Sequence, residues 1–297
     1  MRTLCLGEAL VDLVCERPVP GITDADAFSP HPGGAIANVC VTAARLGAQV
    51  ALAGGAGDDA WGAWLRERLA GERIDLEFFE LVEGAPTAIA FVVVDPAGEP
   101  AYTTYGAGLH AAMAALADRL PEAVEACDAL LFASNTLVEE AEREATLAAR
   151  ERALELGRPV IFDPNLRLHR WPNPGRAASE ARGCVAGAFL VKCNRAEAEL
   201  LTGENDPERA AAGLLAAGAR NVIITLGERG AMLRGEFRAQ APGIPANVVN
   251  LAGAGDAFLG AVLARLAVTG FYPPALVAAL PDACRAAAAA TERWGAV

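Results

Sequence analysis

Histidine is scarce in this 297-residue chain: it occurs only at positions 31, 110 and 169, without ligand spacing. That argues against a histidine-built metal centre and leaves each of the three a structural role. The seven cysteines (5, 15, 40, 127, 184, 193 and 284) are odd in number, scattered, and never spaced C-x-x-C. Most sit in apolar segments, where a free thiol behaves as a small hydrophobe. A disulfide framework and a zinc site are therefore disfavoured, and a reducing, cytoplasmic setting is expected. No stretch approaches the roughly 18 consecutive uncharged apolar residues of a membrane span. The first residues run directly into a strand-like segment, with no leader pattern. Positive charge is also short, at 25 basic against 37 acidic residues and a net charge of −12. Without a basic stripe, nucleic acid is not an expected partner. A site for an anionic ligand must then be locally positive against that background.

What is present is a large apolar fraction, 53%, on a chain long enough to bury a substantial core. Short β-branched or apolar runs alternate with longer helical patterns, which predicts a parallel α/β sheet. Strands are expected at 3–6, 49–53, 129–133, 160–163, 189–192 and 222–225. Helices are expected at 37–46, 60–70, 140–156, 195–201, 208–217, 257–268 and 281–293, with a loop at 169–176. One region departs from the alternation. The runs 87–94 and 100–105 flank Asp95-Pro96-Ala97-Gly98-Glu99, a hairpin turn signal. With the extended segment 9–15 they suggest a small β-sheet standing off the main body as a lid. An edge hairpin of the main sheet is the alternative.

The most informative segment is Gly253-Ala254-Gly255-Asp256, followed by an apolar, small-residue helical run. Glycines there allow a tight turn and close ligand approach, and the amides of Gly253, Ala254 and Gly255 converge at a positive helix N-terminus. A carboxylate on the same turn suits phosphoryl transfer: donors hold the migrating group while Asp256 takes the hydroxyl proton. The competing reading makes Asp256 a first-turn acid that only complements the helix dipole. A dinucleotide loop is excluded by spacing, because Phe258 stands where the third glycine belongs.

Further segments fall at the carboxyl ends of expected strands, where open α/β sheets bind ligands. They are Gly7-Glu8-Ala9-Leu10-Val11-Asp12, Asp163-Pro164-Asn165-Leu166-Arg167, Asn194-Arg195-Ala196-Glu197 and Thr225-Leu226-Gly227-Glu228-Arg229-Gly230. Gly33-Gly34-Ala35-Ile36-Ala37-Asn38 places a double glycine ahead of a helix, with an amide side chain one turn in. Singly, each also reads as a turn or a cap.

Their order, with Gly57-Asp58-Asp59 between them, resembles the PfkB, or ribokinase-like, family of carbohydrate kinases over nearly the whole chain. Pro30-His31-Pro32-Gly33-Gly34 and Asp-Pro-Asn-Leu-Arg look most like its fructokinase and 2-keto-3-deoxygluconate kinase branch. The resemblance implies one α/β/α Rossmann-like domain over 1–297, with a β lid formed by roughly 9–31 and 86–106. It implies phosphorylation of a sugar hydroxyl by ATP with Mg²⁺. Asp256 matches the catalytic base and residues 253–255 the anion hole. Asp12, Gly33, Gly34, Asn38 and the lid's Tyr105 match sugar-contacting positions, and Arg167 could reach phosphate or substrate. Asn194 and Glu197 match a motif that orients Mg²⁺ and phosphate through water. Thr225, Gly227 and Gly230 match a segment lining the nucleotide. Strand edges on such a lid could pair between subunits, so a homodimer is expected.

Two departures refine the expectation. Where the family commonly places Asp-Thr-Thr, a segment that helps bind a monovalent cation, this chain has Asn250-Leu251-Ala252. Loss of a charged oxygen ligand at 250 predicts weak or absent K⁺ dependence. The arginine that often follows the lid tyrosine is also missing, since Tyr105 precedes Gly106-Ala107-Gly108. A sugar acid wants such a charged fork, so a neutral sugar, fructose first, is favoured. The alternatives are a 2-keto-3-deoxygluconate kinase, a ribokinase or nucleoside kinase, and a non-catalytic sugar or nucleotide sensor.

Overall fold

Strands that are apolar without alternation must be covered on both faces, and Ala129–Ala133 and Asn221–Thr225 are of this kind. The structure, a computed structural model describing residues 1–105 and 108–297, sets them in a nine-stranded sheet. In spatial order its strands are Ala239–Ala241, Ala231–Gly235, Asn221–Thr225, Leu190–Asn194, Val160–Asp163, Ala129–Ala133, Arg2–Leu6, Gln49–Gly57 and Phe79–Val82. All run in one direction except Ala231–Gly235, which is antiparallel to both of its neighbours. Successive strand residues feed opposite layers. Leu131 and Ile223 pack with the helices Ala35–Arg45, Ala254–Val268 and Ala275–Thr291. Phe132 and Ile224 pack with Glu140–Glu155, Pro174–Gly183, Arg195–Thr202 and Pro207–Ala216. The result is the expected three-layer α/β/α order.

Ser29–Gly33, Leu10–Pro18, Ile89–Val94 and Pro100–Tyr105 form a separate four-stranded sheet, so the hairpin does not extend the main one. Ser29–Gly33 is a strand despite Pro30 and Pro32. It lies at the sheet's edge, where a missing N–H costs no ladder bond. Alternation decides which side chains face the body: Leu10, Val14, Ala90 and Val92 pack inward with Tyr102 and Trp294. The expected lid boundary at 106, and the Gly106-Ala107 pair, lie outside the described residues.

Other differences have local causes. The last helix begins at Ala275 and passes through Pro281. Val277, whose carbonyl loses its partner there, is exposed. The expected loop at 169–176 is overtaken by the helix Pro174–Gly183, started by Pro174 and by Asn173, whose side chain accepts from the Arg176 amide at 2.9 Å. All seven cysteines are free and buried, as their apolar context implies. Among the described residues no helix is long and apolar enough to cross a membrane.

Candidate active site

The Ala254–Val268 helix starts one turn earlier than its apolar run suggests, because Gly253 takes the left-handed conformation (φ 77°) and caps it. Ala296 packs so closely on Gly253 that a side chain there would strike it, with backbone 2.7 Å from the added carbon. Asp256 is thereby fixed in the first turn, 5% exposed. Asn38, from the Ala35–Arg45 helix, donates to one of its oxygens at 2.8 Å. Asn165 reaches the other at 3.5 Å from a strained backbone (φ 37°) that asparagine tolerates.

Across the cleft stands Asp12, carried by the inner face of the small sheet. Gly33 is bare on the neighbouring strand, and any side chain there would collide with the Asp12 carboxyl group. Burial pushes Asp12 up to about 7, with the Asp256 charge adding to it and Arg167 opposing. Burial also pushes Asp256 up to about 6, held back by the Asn38 hydrogen bond and then by Arg167 and Lys192. Environments that separate two facing carboxylates in this way are how one site holds an acid and a base near neutral pH.

The cleft is completed by Glu8, Gly34, Tyr102, Thr104, Asn135, Arg167 and Arg170. The Arg167 guanidinium lies 5.3 Å over the Tyr102 ring. Glu8 is a buried acid that sequence reading passed over. One of its oxygens accepts from the Ala35 amide at 3.0 Å and from Asn135 at 2.7 Å, while the other has no partner among the described residues. The orphaned oxygens of Glu8, Asn38 and Asn135 are buried acceptors suited to hydroxyl donors.

Tyr105 requires a correction. It is 58% exposed and meets Phe91 edge-on at 5.7 Å, on the outer face of the small sheet. Tyr102 and Thr104 face the cleft instead, as the two-residue period demands. His169, expected to be structural, borders the cleft, and burial together with Arg167 and Arg170 lowers its pKa.

The second group of expected residues does not line this cleft but lies at the ends of two neighbouring strands. Asn194 and Thr225 are register partners. Asn194 and Glu197 form a complete capping box: the Asn194 side chain accepts from the Glu197 amide at 2.9 Å, and Glu197 accepts from the Asn194 amide at 2.8 Å. The remaining Glu197 oxygen accepts from the Leu166 amide at 2.9 Å, tying this end to the loop that carries Arg167. Gly227 and Gly230, both at positive φ, close a turn through the Leu226 amide to the Gly230 carbonyl at 2.7 Å. Among the described residues no cluster of three His, Cys, Asp or Glu side chains could hold a metal. Glu197 spends both oxygens on backbone amides, so it fits an ion held through water rather than by direct ligation.

Asn250 is fully buried, and its oxygen accepts from the Ala252 amide at 2.9 Å. Its side-chain nitrogen, a donor, has no partner among the described atoms. A cation needs acceptors there, so this position does not fit one.

Sequence reading also missed Lys192. It lies on Leu190–Asn194, is 4% exposed, and donates to Asp163 at 2.9 Å. The available signal was compositional: it is the only lysine among the 25 basic residues.

The description "pfkB family carbohydrate kinase" belongs to the family model that matches residues 2–297. Fructokinase-2 of Solanum lycopersicum is 31% identical over 262 residues, covering 88% of this chain and 80% of that protein. A fructokinase double mutant from Vibrio cholerae O395, solved with fructose, ADP and potassium, superposes with a TM-score of 0.86 at 28% identity, covering 99% and 93% of the two chains. The aminoimidazole riboside kinase of Salmonella enterica, solved with its riboside and an ATP analogue, gives a TM-score of 0.82 at 28% identity, covering 100% and 95%.

Proposed function

The chain belongs to the pfkB family of carbohydrate kinases and is a sugar kinase that uses ATP, and from that premise we propose a neutral, fructose-like hexose as its acceptor. The observation that carries the mechanism is the buried Asp256 carboxylate on the first turn of a helix whose leading amides, at 253–255, have no intrahelical partners. Sugar binds beneath the small sheet, against Asp12, Gly33, Gly34, Asn38 and Arg167. Orphaned acceptors on Glu8 and Asn135 take further hydroxyls. Asp256 accepts the proton of the attacking hydroxyl, and the 253–255 amides carry the charge of the phosphoryl group in flight.

ATP lies across the strand ends, near Asn194, Glu197, Thr225, Gly227 and Gly230. Glu197 would hold a phosphate-bound Mg²⁺ through water, and the ion would supply neutralisation of the phosphate charge. The segments 9–31 and 86–106 act as the lid that excludes water. Cytoplasmic placement and a homodimer complete the reading.

A second reading, a sugar acid such as 2-keto-3-deoxygluconate, is favoured by one observation: Arg167 and Arg170 both border the cleft. Initial rates with ATP, Mg²⁺ and a panel of fructose, 2-keto-3-deoxygluconate, ribose, tagatose and nucleosides separate the readings. Fructose is expected to lead. In the same assay Asp256→Asn is expected to lose about 10²–10⁴-fold in kcat with its fold intact by circular dichroism. Near-normal turnover by that variant would remove Asp256 from the mechanism.

A further inference from the structure

Twenty-four of the 25 basic residues are arginine, and the one lysine lies in the interior rather than on the surface. Arginine's planar fork suits exposed carboxylate pairs; lysine is a compact point charge that fits where a fork cannot. Lys192 occupies such a space. Its side chain and that of Asp163 are only 6% and 2% exposed and meet at 2.9 Å. Its ammonium also lies against the catalytic helix: a carbon added to Gly255 would sit 3.2 Å from Nζ. The charge is thus seated below the first turn, one residue from Asp256.

A buried pair that only neutralises itself is replaceable by apolar side chains at little cost. This pair is not isolated. Asp256 is faced by Asp12 from the small sheet, by Arg167 from the loop after Val160–Asp163, by Asp163 itself and by Lys192. Glu197 acts on Lys192 from the next helix, and Tyr102 lies within reach of Asp12, Arg167 and Asp256. Asn38 and Asn165 add neutral donors. Glu8 and Glu197 act on Arg167 as well, so five carboxylates share two buried or half-buried cations, of which Lys192 is the one set against the helix turn at Gly255.

We propose that Lys192 is a positioning residue for phosphoryl transfer: anchored by Asp163 and pressed against Gly255, its ammonium holds Asp256 in the ionised form that accepts the sugar proton. The inference rests on Asp256 being the base. The field of the ammonium acts across the glycine turn, so it needs no contact with substrate.

Two measurements test it. In Lys192→Met the acid limb of the kcat/KM pH profile should move up by about one unit, with the loss in rate largest below neutrality and partly recovered at high pH. Lys192→Arg, if it folds, should keep the limb near its original pH. A limb unmoved in Lys192→Met, with any loss of rate uniform across pH, would overturn the proposal. Should Lys192→Met fail to fold, the native chain carrying ¹⁵N-lysine offers one side-chain ammonium signal to follow. That signal should shift with pH near 6, and the shift should vanish in Asp256→Asn. A flat signal, or an unchanged inflection in Asp256→Asn, sinks the inference. Full turnover by Asp256→Asn would instead fault the base assignment, which keeps the two failures distinct.

Discussion

Asp12 and Asp256 each keep a carboxyl group out of water, and the Asp256 charge makes ionisation of Asp12 harder still. Their protons therefore belong to the pair, and near neutrality the pair favours one charge over two. The base must be ionised to act, so kcat/KM should rise as pH passes about 6. Asp12, whose value lies higher, still holds its proton there, so Asp12→Asn should leave that limb nearly in place, in contrast to the upward shift expected from Lys192→Met. Stability follows the same shifts with a definite sign. Both folded-state values lie above the ordinary 3.8, so the folded chain holds these protons more tightly than the unfolded chain. Their contribution is complete below about 4 and is lost as pH rises through 6 and 7. Asp12→Asn should accordingly raise Tm of the ligand-free protein by roughly a few degrees at pH 8 and by much less at pH 5. Equal shifts at the two pH values in thermal unfolding would contradict this. Asp256 was legible from its glycines and its place ahead of an apolar run. Lys192 was not, because a single lysine inside a strand carries no motif and gains meaning only from Asp163 and Gly255 beside it.

At the scale of elements, the turn at Gly253 is set by what packs on it. Gly253 adopts φ 77° where Ala296 closes over it, and Trp294, two residues earlier, packs under the small sheet. The tail thus touches both walls of the cleft. The turn is also braced by the amides of Val249 and Asn250, which donate to the Thr291 carbonyl at 2.8 and 3.1 Å. With these bonds made by protein alone and an amide donor at 250, initial rates should change less than about twofold when K⁺ is replaced by a bulky organic cation. A strong rise with K⁺ would show that main-chain oxygens suffice to bind it. Asp59 illustrates the same economy of elements. It caps the Ala60–Gly71 helix through Gly62 at 2.8 Å and grips Thr87, just before the Ile89–Val94 strand, at 2.7 Å. The residue that caps one helix is also the tether between body and small sheet.

For the whole molecule, the small sheet has two faces with different fates. The inner face forms the cleft roof, while Ile22, Phe28, Phe91 and Tyr105 line an apolar hollow on the outer face. Exposed aromatic clusters of this kind mark association surfaces, and a two-fold partner would cover them symmetrically. Sedimentation velocity should find a dimer for the native chain, and Phe91→Lys should shift it to monomer. A native monomer at micromolar concentration would refute this.

The alternation of apolar runs settled the three-layer class, since a strand without polar positions has to be roofed on both sides. The turn chemistry of Gly-Ala-Gly-Asp marked the place where phosphoryl chemistry is proposed, since small residues and amides act locally. Local pattern could not say which tyrosine turns inward, and it is Tyr102 rather than Tyr105 that lines the cleft. It could not bring Asp12 within reach of Asp256, 244 positions later, or lay Lys192 beneath Gly255. Those relations join segments from separate elements, and only close packing of the layers determines which side chains share one dry space.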